Sequence, residues 1–230
     1  MPPMLEPMLA RLARELPVGE GWAFEHKWDG YRALLYADRG RLRLLSRRHI
    51  DYTARVPELA PVAPKMGSHR LILDGELVAL TAGGRPSFQA LQMRIGPQFG
   101  PKPSGEPPRS ELAYLIFDLL YLDGRSLLPL PYVERRAQLD ELGLTGPSWW
   151  TPPYQLDGRT LLEESQTLGL EGVVAKKLAS PYRPGARNGD WVKVKVPRTR
   201  RPCWNRVQRA HHGAAAAGLA AHANRAQPTR

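Results

Sequence analysis

A chain of 230 residues with 42% hydrophobic and 24% charged residues is long enough to bury one large core, and its single cysteine excludes an internal disulfide framework and a cysteine-based zinc cluster. The sequence contains no apolar run of about 18 residues, and its N-terminus lacks the pattern of a signal peptide, so we expect a cytoplasmic protein without a membrane span. The net charge of +11 is uneven, because the segment after residue 195 holds seven arginines and no acidic residue, which leaves the main part of the chain only mildly basic.

Strand patterns dominate the chain after a proline-bounded lead-in, in which residues 8–16 favour a short amphipathic helix. Apolar or alternating runs predict strands over 22–27, 31–37, 41–46, 70–80, 111–122, 171–177 and 190–196, and Asp38-Arg39-Gly40 predicts a hairpin turn. Helical patterns cover 87–94, 132–142 and 159–168, while 52–65 predict a loop with a short helix that prolines interrupt. Many strands, few helices and no regular βαβ alternation indicate an α+β fold of largely antiparallel sheets.

Two segments carry no such pattern. Residues 96–110 are rich in proline and glycine, which predicts a mobile surface loop rather than a domain boundary. Residues 198–230 are basic and alanine-rich without a continuous apolar face, which predicts a weakly structured tail. We therefore expect one domain over 1–197, followed by this tail.

The stretch with the clearest chemistry is Lys27-Trp28-Asp29-Gly30, in which a lysine leaves a predicted strand at a sharp turn. A lysine amine attacks an activated phosphate only when it is neutral, and with a pKa of about 10.4 a free lysine is almost fully protonated at pH 7. Burial and nearby cations, bound metal included, lower that pKa. The competing interpretation is an ordinary strand-end lysine beside a turn.

Further short motifs lie in or at the ends of later predicted strands. They are Ser46-Arg47, Asp74-Gly75-Glu76, Phe117-Asp118, the run from Glu171 to Lys176, and Lys193-Val194-Lys195. Each also has an ordinary interpretation: Arg47 or Arg48 as an exposed arginine, Phe117 as a core residue, Glu171 as a surface ion pair, the acid–glycine–acid run as a turn, and the paired lysines as a solvated face.

Taken together, these residue types match what adenylyl transfer requires. Lys193 and Lys195 share one face of a strand and would place positive charge around an α-phosphate. Glu171 and Glu76 supply the carboxylates that suit a divalent metal. Phe117 offers an aromatic face for a purine. Catalysis of this type depends mainly on positioning and electrostatics.

The motifs and their order resemble the covalent nucleotidyltransferase superfamily, and within it the adenylation domain of ATP-dependent DNA ligases. The similarity is greatest to bacterial ligases related to the end-joining ligase domain, in which Lys-Trp-Asp-Gly-Tyr-Arg (here residues 27–32) and Phe-Asp-Leu-Leu-x-Leu-Asp-Gly (here residues 117–124) are typical. The resemblance covers residues 3–197. It implies an ATP-grasp-like nucleotidyltransferase domain of largely antiparallel sheets with flanking helices, ATP and Mg²⁺ or Mn²⁺ as cofactors, and nicked duplex DNA as the partner.

The resemblance also implies a role for each matching residue, beginning with Lys27 as the nucleophile that becomes lysyl-AMP. The residues expected to bind the nucleotide are Glu25 at the adenine edge, Arg32 and Glu76 at the ribose, Phe117 on the base, Arg47 at the nucleotide or the 5′-phosphate of the nick, Arg187 at the nucleotide, and Lys193 and Lys195 at the α-phosphate. Glu171 and Glu76 are the expected metal ligands. Lys176 ends its motif with a less certain role.

The sequence departs from the family pattern after Val196. These ligases continue into an OB-fold domain that orients the pyrophosphate and closes around DNA, and the 33 residues after Pro197 are too few to form one. We therefore expect a truncated ligase with impaired activity, or a monomeric adenylation domain that needs another chain supplying an OB-fold or other DNA-repair proteins. The alternatives are an RNA ligase or a GTP-using capping enzyme of the same superfamily, and a non-catalytic nucleotide- or DNA-binding remnant.

Overall fold

The computed structural model describes residues 4–96, 105 and 109–196. The helices are α1 (Val62–Met66), α2 (Phe88–Ile95), α3 (Tyr132–Glu141) and α4 (Gly158–Leu168), with short 3-10 turns at Thr53–Arg55 and Pro57–Leu59. The strands are β1 (Arg11–Leu12), β2 (Trp22–Lys27), β3 (Tyr31–Asp38), β4 (Arg41–Ser46), β5 (Arg70–Thr81), β6 (Ser110–Leu122), β7 (Arg125–Ser126), β8 (Trp149–Trp150), β9 (Gly172–Lys177) and β10 (Trp191–Lys195).

The strands of the described residues form two mainly antiparallel sheets. The larger sheet has the order β4-β3-β5-β6-β7, with β8 added parallel to β6, and the smaller sheet has the order β1-β10-β9-β2. The smaller sheet is antiparallel except for the parallel pair of β1 and β10. The predicted α+β class with largely antiparallel sheets is therefore confirmed.

The larger sheet is buried on both faces, which explains why its strands read as apolar runs. On β3, Ala33 and Leu35 belong to one core cluster, which α2 and α3 also join, whereas Leu34 and Tyr36 belong to a second cluster with Trp191 of the smaller sheet. The second cluster therefore lies where the two sheets face each other. This is also the side on which the residues singled out by the sequence converge.

Most of the predicted elements are confirmed, but the predicted helix over 8–16 is wrong. That segment is extended, and its backbone bonds to distant parts of the chain: Leu9 N donates to Ala186 O (2.8 Å) and Ala13 N donates to Lys193 O (3.0 Å). Arg11–Leu12 adds to the smaller sheet as β1. A weak local helix preference is overridden by these tertiary hydrogen bonds. The two-residue strands β1, β7 and β8 are not predicted by the sequence pattern.

Part of the sequence prediction falls on residues that the structure does not describe. Most of the expected loop over 96–110 lies outside the described residues, and so do the tail over 198–230 and the question of an OB-fold. Among the residues that are described, no helix is both long enough and apolar enough to cross a membrane.

Candidate active site

A cleft of about 170 Å³ lies between the two sheets and collects most of the residues that the sequence singled out. Its lining includes Glu25, Lys27, Arg32, Arg47, Glu76, Phe117, Arg187 and Lys193. Of the remaining two predicted residues, Glu171 forms an ion pair with Lys27, and Lys195 forms an ion pair with Glu171. A second cleft, of about 310 Å³, is larger, but none of the described residues that line it is ionisable, so the chemistry rather than the size identifies the site.

Lys27 is the last residue of β2, and its amine contacts the carboxylate of Glu171. Lys27 Nζ donates a hydrogen bond to Glu171 Oε2, and Lys195 Nζ lies 3.0 Å from Glu171 Oε1. The backbone brings the two together, because Glu171 N donates to Lys27 O at 3.2 Å just before β9 begins. Although burial acts in the opposite direction, the hydrogen bonds from Lys27 and Lys195 hold the pKa of Glu171 below its usual value. The carboxylate is therefore ionised and shared between two lysines.

Arg32 and Glu76 face each other across β3 and β5, where they form a register pair. Burial raises the pKa of Glu76 to about 7, an effect that the charges of Arg32 and Lys27 only partly offset. Glu76 therefore carries a proton in about half of the molecules at neutral pH. A protonated carboxyl can donate as well as accept a hydrogen bond, which widens the set of hydroxyl groups that it can bind.

Asp74 anchors the guanidinium of Arg32 and is fully buried. Arg32 Nε donates to Asp74 Oδ1 (2.5 Å), and Arg32 Nη2 donates to Asp74 Oδ2 (2.6 Å), which makes a bidentate pair. Gly75 is needed next to it, because a Cβ there would lie 2.5 Å from Leu115 O and 2.6 Å from the Tyr114 ring. The run Asp74-Gly75-Glu76 therefore lies within β5, where Gly75 allows β6 to approach closely. Its interpretation as a turn is wrong.

The aromatic ring of Phe117 lies among cations in the cleft. Arg32 Cζ lies 4.5 Å from the ring centroid and Lys176 Nζ lies 4.3 Å from it, both within the range of a cation–π interaction. The ring also meets Trp191 edge-on at 6.5 Å. Phe117 is only partly buried, so its interpretation as an ordinary core residue is not the one that the structure favours.

The closed end of the cleft contains a buried cluster of polar side chains. The sequence singles out two of them, Glu25 and Lys176, but not the third, Tyr132. Glu25 Oε2 pairs with Lys176 Nζ at 2.8 Å, and Tyr132 donates its hydroxyl to Glu25 Oε1. Burial lowers the pKa of Lys176, against the opposing effect of Glu25. Tyr132 begins α3, and no local pattern in the sequence connects it to Glu25, which is 107 residues away. Only the three-dimensional fold could find this partner.

The open end of the cleft is basic. Burial lowers the pKa of Lys193, and the charges of Lys27 and Arg187 lower it further, which shows that these cations lie close enough to repel one another. Arg187 is held by a hydrogen bond from Nη1 to Ala10 O (3.0 Å), and Arg47 is placed by its backbone N–H, which bonds to Arg32 O (3.2 Å). Within the described residues these cations outnumber Glu171, the carboxylate that pairs with Lys27 and Lys195, and such an excess of clustered cations favours the binding of a multiply charged anion. The arrangement suits a polyphosphate.

Comparison with known proteins agrees with this geometry. A family model described as ATP dependent DNA ligase domain matches residues 7–195, which is most of the chain. The chain belongs to this family. The resemblance to ATP-dependent DNA ligases stated from the motifs is therefore confirmed, whereas the roles of the individual residues stay predictions.

Relatives of this ligase domain include proteins of bacterial end joining. The sequence is 42% identical over 200 residues to the multifunctional non-homologous end joining protein LigD of Pseudomonas aeruginosa, covering 85% of this chain and 22% of that protein. It is 44% identical over 176 residues to the LigD protein of Mycobacterium tuberculosis, covering 76% of this chain and 21% of that protein. The chain thus spans about a fifth of the length of these relatives.

Solved structures show the same fold. A mycobacterial DNA ligase D complexed with ATP and MES superposes with a TM-score of 0.71 at 40% identity, covering 83% of this chain and 60% of that one. The Chlorella virus DNA ligase-adenylate superposes with a TM-score of 0.53 at 15% identity, covering 84% of this chain and 69% of that one, and at that identity it supports the fold alone.

Proposed function

We propose that this chain is the adenylation domain of an ATP-dependent DNA ligase and that Lys27 is its nucleophile. The observation that carries the proposal is the position of Lys27 Nζ, which lies in a cleft with cations on one side and two carboxylates beside it. The nearest acid, Glu171, is ionised and holds that amine by a hydrogen bond. A lysine that served only as a strand end would not need this setting.

The proposed reaction begins with ATP bound between the sheets. Lys27 Nζ attacks the α-phosphorus, a phosphorus–nitrogen bond forms, the bond to the bridging oxygen of the β-phosphate breaks, and pyrophosphate leaves while the amine loses a proton. Lys193 and Lys195 lie where negative charge develops on the phosphate and stabilise it electrostatically. The AMP then passes to a 5′-phosphate at a nick in duplex DNA, and attack by the 3′-hydroxyl seals the strand and releases AMP.

The remaining cleft residues fit the nucleotide around that reacting phosphate. Phe117 would stack on the adenine, Glu25 would meet its edge, and Arg32 with Glu76 would hold the ribose hydroxyls. Each of these side chains lines the same cleft. Arg187 and Arg47, at its basic side, would contact the phosphates or the 5′-phosphate of the nick.

A divalent metal fits the carboxylates that are present. Mg²⁺ is usually bound by one or two carboxylates together with substrate phosphates and water, so a site of this kind needs few protein ligands. Glu171 and Glu76 lie close enough for the charge of Glu171 to raise the pKa of Glu76. They would hold Mg²⁺ or Mn²⁺, which would neutralise phosphate charge. Other DNA-repair proteins are the partners that we propose for the sealing step.

The test is the mass of the intact protein after incubation with Mg²⁺ and either ATP, GTP, NAD⁺ or no nucleotide. We expect an increase by one AMP with ATP alone, and we expect Lys27→Ala to abolish it without unfolding the protein, because the Lys27 side chain is ion-paired rather than packed in the core. Lys65→Ala, at an exposed position on α1, is the matched control and should keep full labelling.

Labelling of Lys27→Ala at the wild-type level would show that another residue is the nucleophile. A GTP adduct would favour a capping-type enzyme, and the absence of any adduct would favour a binding remnant. If the AMP adduct forms, nicked duplex with a DNA or an RNA 5′-phosphate strand distinguishes a DNA ligase from an RNA ligase.

A further inference from the structure

The N-terminal segment forms one wall of the cleft, although it contains none of the family's motifs. We call residues 4–13 the strap. It is extended, its Met8 is fully buried, and its Leu9 and Ala10 line the cleft. The hydroxyl of Tyr36 binds it at one end by accepting from Leu5 N (2.8 Å).

A closed ring of hydrogen bonds joins the strap to the arginine in the cleft. Met8 N donates to the Tyr182 hydroxyl (2.8 Å), and that hydroxyl donates to Asp74 Oδ2 (2.6 Å). The same carboxylate oxygen accepts from Arg32 Nη2 (2.6 Å), and Arg32 Nη2 also lies 3.3 Å from Met8 O, which completes the ring. The Tyr182 hydroxyl thus connects the strap backbone to the anchor of Arg32.

We propose that Tyr182 is a positioning residue for nucleotide binding, whose hydroxyl locks the strap onto Asp74 and thereby fixes the guanidinium of Arg32 in the cleft. The inference rests on the proposed function, in which Arg32 contacts the ribose side of ATP. Tyr182 itself lies outside the lining of the cleft, so it acts through Asp74 and Arg32.

The physical case depends on burial. Tyr182 and Asp74 have relative exposures of 2% and 0%, so water does not replace the hydroxyl when it is removed. Burial, together with the charge of Asp74, raises the pKa of Tyr182 well above its usual range, so the hydroxyl keeps the proton that it donates. Without it, Asp74 loses one of its donors and Met8 N–H loses its acceptor. Asp74, which anchors the guanidinium of Arg32, and the strap, which forms the cleft wall beside it, are then both less constrained.

The experiment compares Tyr182→Phe with Tyr36→Phe. Both variants remove one hydroxyl that holds the strap, but within the described residues the Tyr36 hydroxyl bonds to Leu5 and not to the pair of Arg32 and Asp74. We expect Tyr182→Phe to raise the ATP concentration for half-maximal adduct formation by about tenfold, as the loss of a hydrogen bond to a charged group implies. The maximal rate should change by less than about twofold, because the interaction is present in the bound ground state and the transition state alike. Tyr36→Phe should leave both quantities unchanged.

A second measurement does not depend on activity. Hydrogen exchange followed by NMR should show the Arg32 Nη2–H and the Met8 amide protected together in the wild type, since both donate within the ring and one opening of the ring exposes both. Tyr182→Phe should accelerate exchange at both sites by about tenfold or more, whereas Tyr36→Phe should accelerate exchange at the Leu5 amide only.

The outcomes are separable. If wild-type protein forms no adduct, the proposed function fails, and the joint exchange of the Arg32 Nη2–H and the Met8 amide still decides whether the ring exists. If Tyr182→Phe and Tyr36→Phe change the ATP concentration for half-maximal adduct formation equally, Tyr182 only holds the strap, and the proposal is overturned. Should Tyr182→Phe fail to fold, independent exchange of Arg32 and Met8 in the wild type would overturn it, and matched exchange would support it.

Discussion

The titration of Glu76 predicts an unusual dependence of stability on pH. Burial raises its pKa from 4.5 to about 7 in the folded protein, while the unfolded chain keeps the usual value. Between these two values the folded state binds more protons than the unfolded state, so the free energy of unfolding falls as the pH rises. This contribution is fully present below pH 4.5 and is lost once the pH passes about 7.

The magnitude follows from the size of the shift. A rise in pKa from 4.5 to about 7, at about 1.4 kcal/mol for each pH unit, amounts to about 3.5 kcal/mol in all, of which about 3 kcal/mol falls between pH 4.5 and pH 8. Glu76→Gln replaces the titrating carboxyl with a neutral group of the same shape, so it should remove the effect. The unfolding free energy of Glu76→Gln minus that of the wild type should therefore rise by up to about 3 kcal/mol between pH 4.5 and pH 8.

The assay is urea denaturation of nucleotide-free protein at a series of pH values between 4.5 and 8. The relevant quantity is the difference in unfolding free energy between Glu76→Gln and the wild type at each pH, which cancels the titration of other groups. Glu111→Gln, at an exposed position on β6, serves as the matched control for the loss of one carboxylate. A constant difference for Glu76→Gln across the range would refute the inference that the buried carboxyl retains its proton.

Two further predictions concern the framework behind the cleft. Arg135 and Asp118 form a fully buried bidentate pair, so Arg135→Met should lower the unfolding free energy by about 3–5 kcal/mol by leaving Asp118 unpaired. Arg159→Met, at an exposed ion pair, should change it by less than about 0.5 kcal/mol in the same denaturation assay, and equal losses would contradict the argument. Gly75→Ala should cost about 1–3 kcal/mol because its Cβ would overlap a backbone oxygen, whereas Gly189→Ala, with nothing within 4 Å, should be nearly neutral. A Gly75→Ala protein of wild-type stability would show that the strands separate there without strain.

The sequence predicted the strands well because their signals are local and strong. The two faces of the larger sheet are both buried, so β6 appears as a continuous apolar run that no helix pattern imitates. The hairpin between β3 and β4 also follows from adjacent residues, and its ends pair as expected at Asp38 and Arg41. Elements of this kind are readable because each residue's neighbours in sequence decide its conformation.

The helix predicted over 8–16, which overlaps the strap, is wrong for the opposite reason. Three of the hydrogen-bond partners that keep this segment extended lie more than 170 residues away, at Tyr182, Ala186 and Lys193, and no window of nearby residues contains that information. The same limit applies to Asp74, whose part in the motif looked like that of a turn residue. Its role is set by Arg32 and Tyr182, which reach it from other elements.

The position of Lys27-Trp28-Asp29-Gly30 explains why one short motif could predict so much of the site. Lys27 ends β2 in the smaller sheet and Tyr31 begins β3 in the larger one, so the motif is the point at which the chain passes between the two sheets. Lys27 and Arg32, five residues apart, therefore stand on opposite walls of one cleft. The passage requires Gly30, since a Cβ there would lie 2.3 Å from Leu77 O. The spacing of the motif is thus a consequence of how the two sheets meet, and this geometry requires a glycine three residues after Lys27.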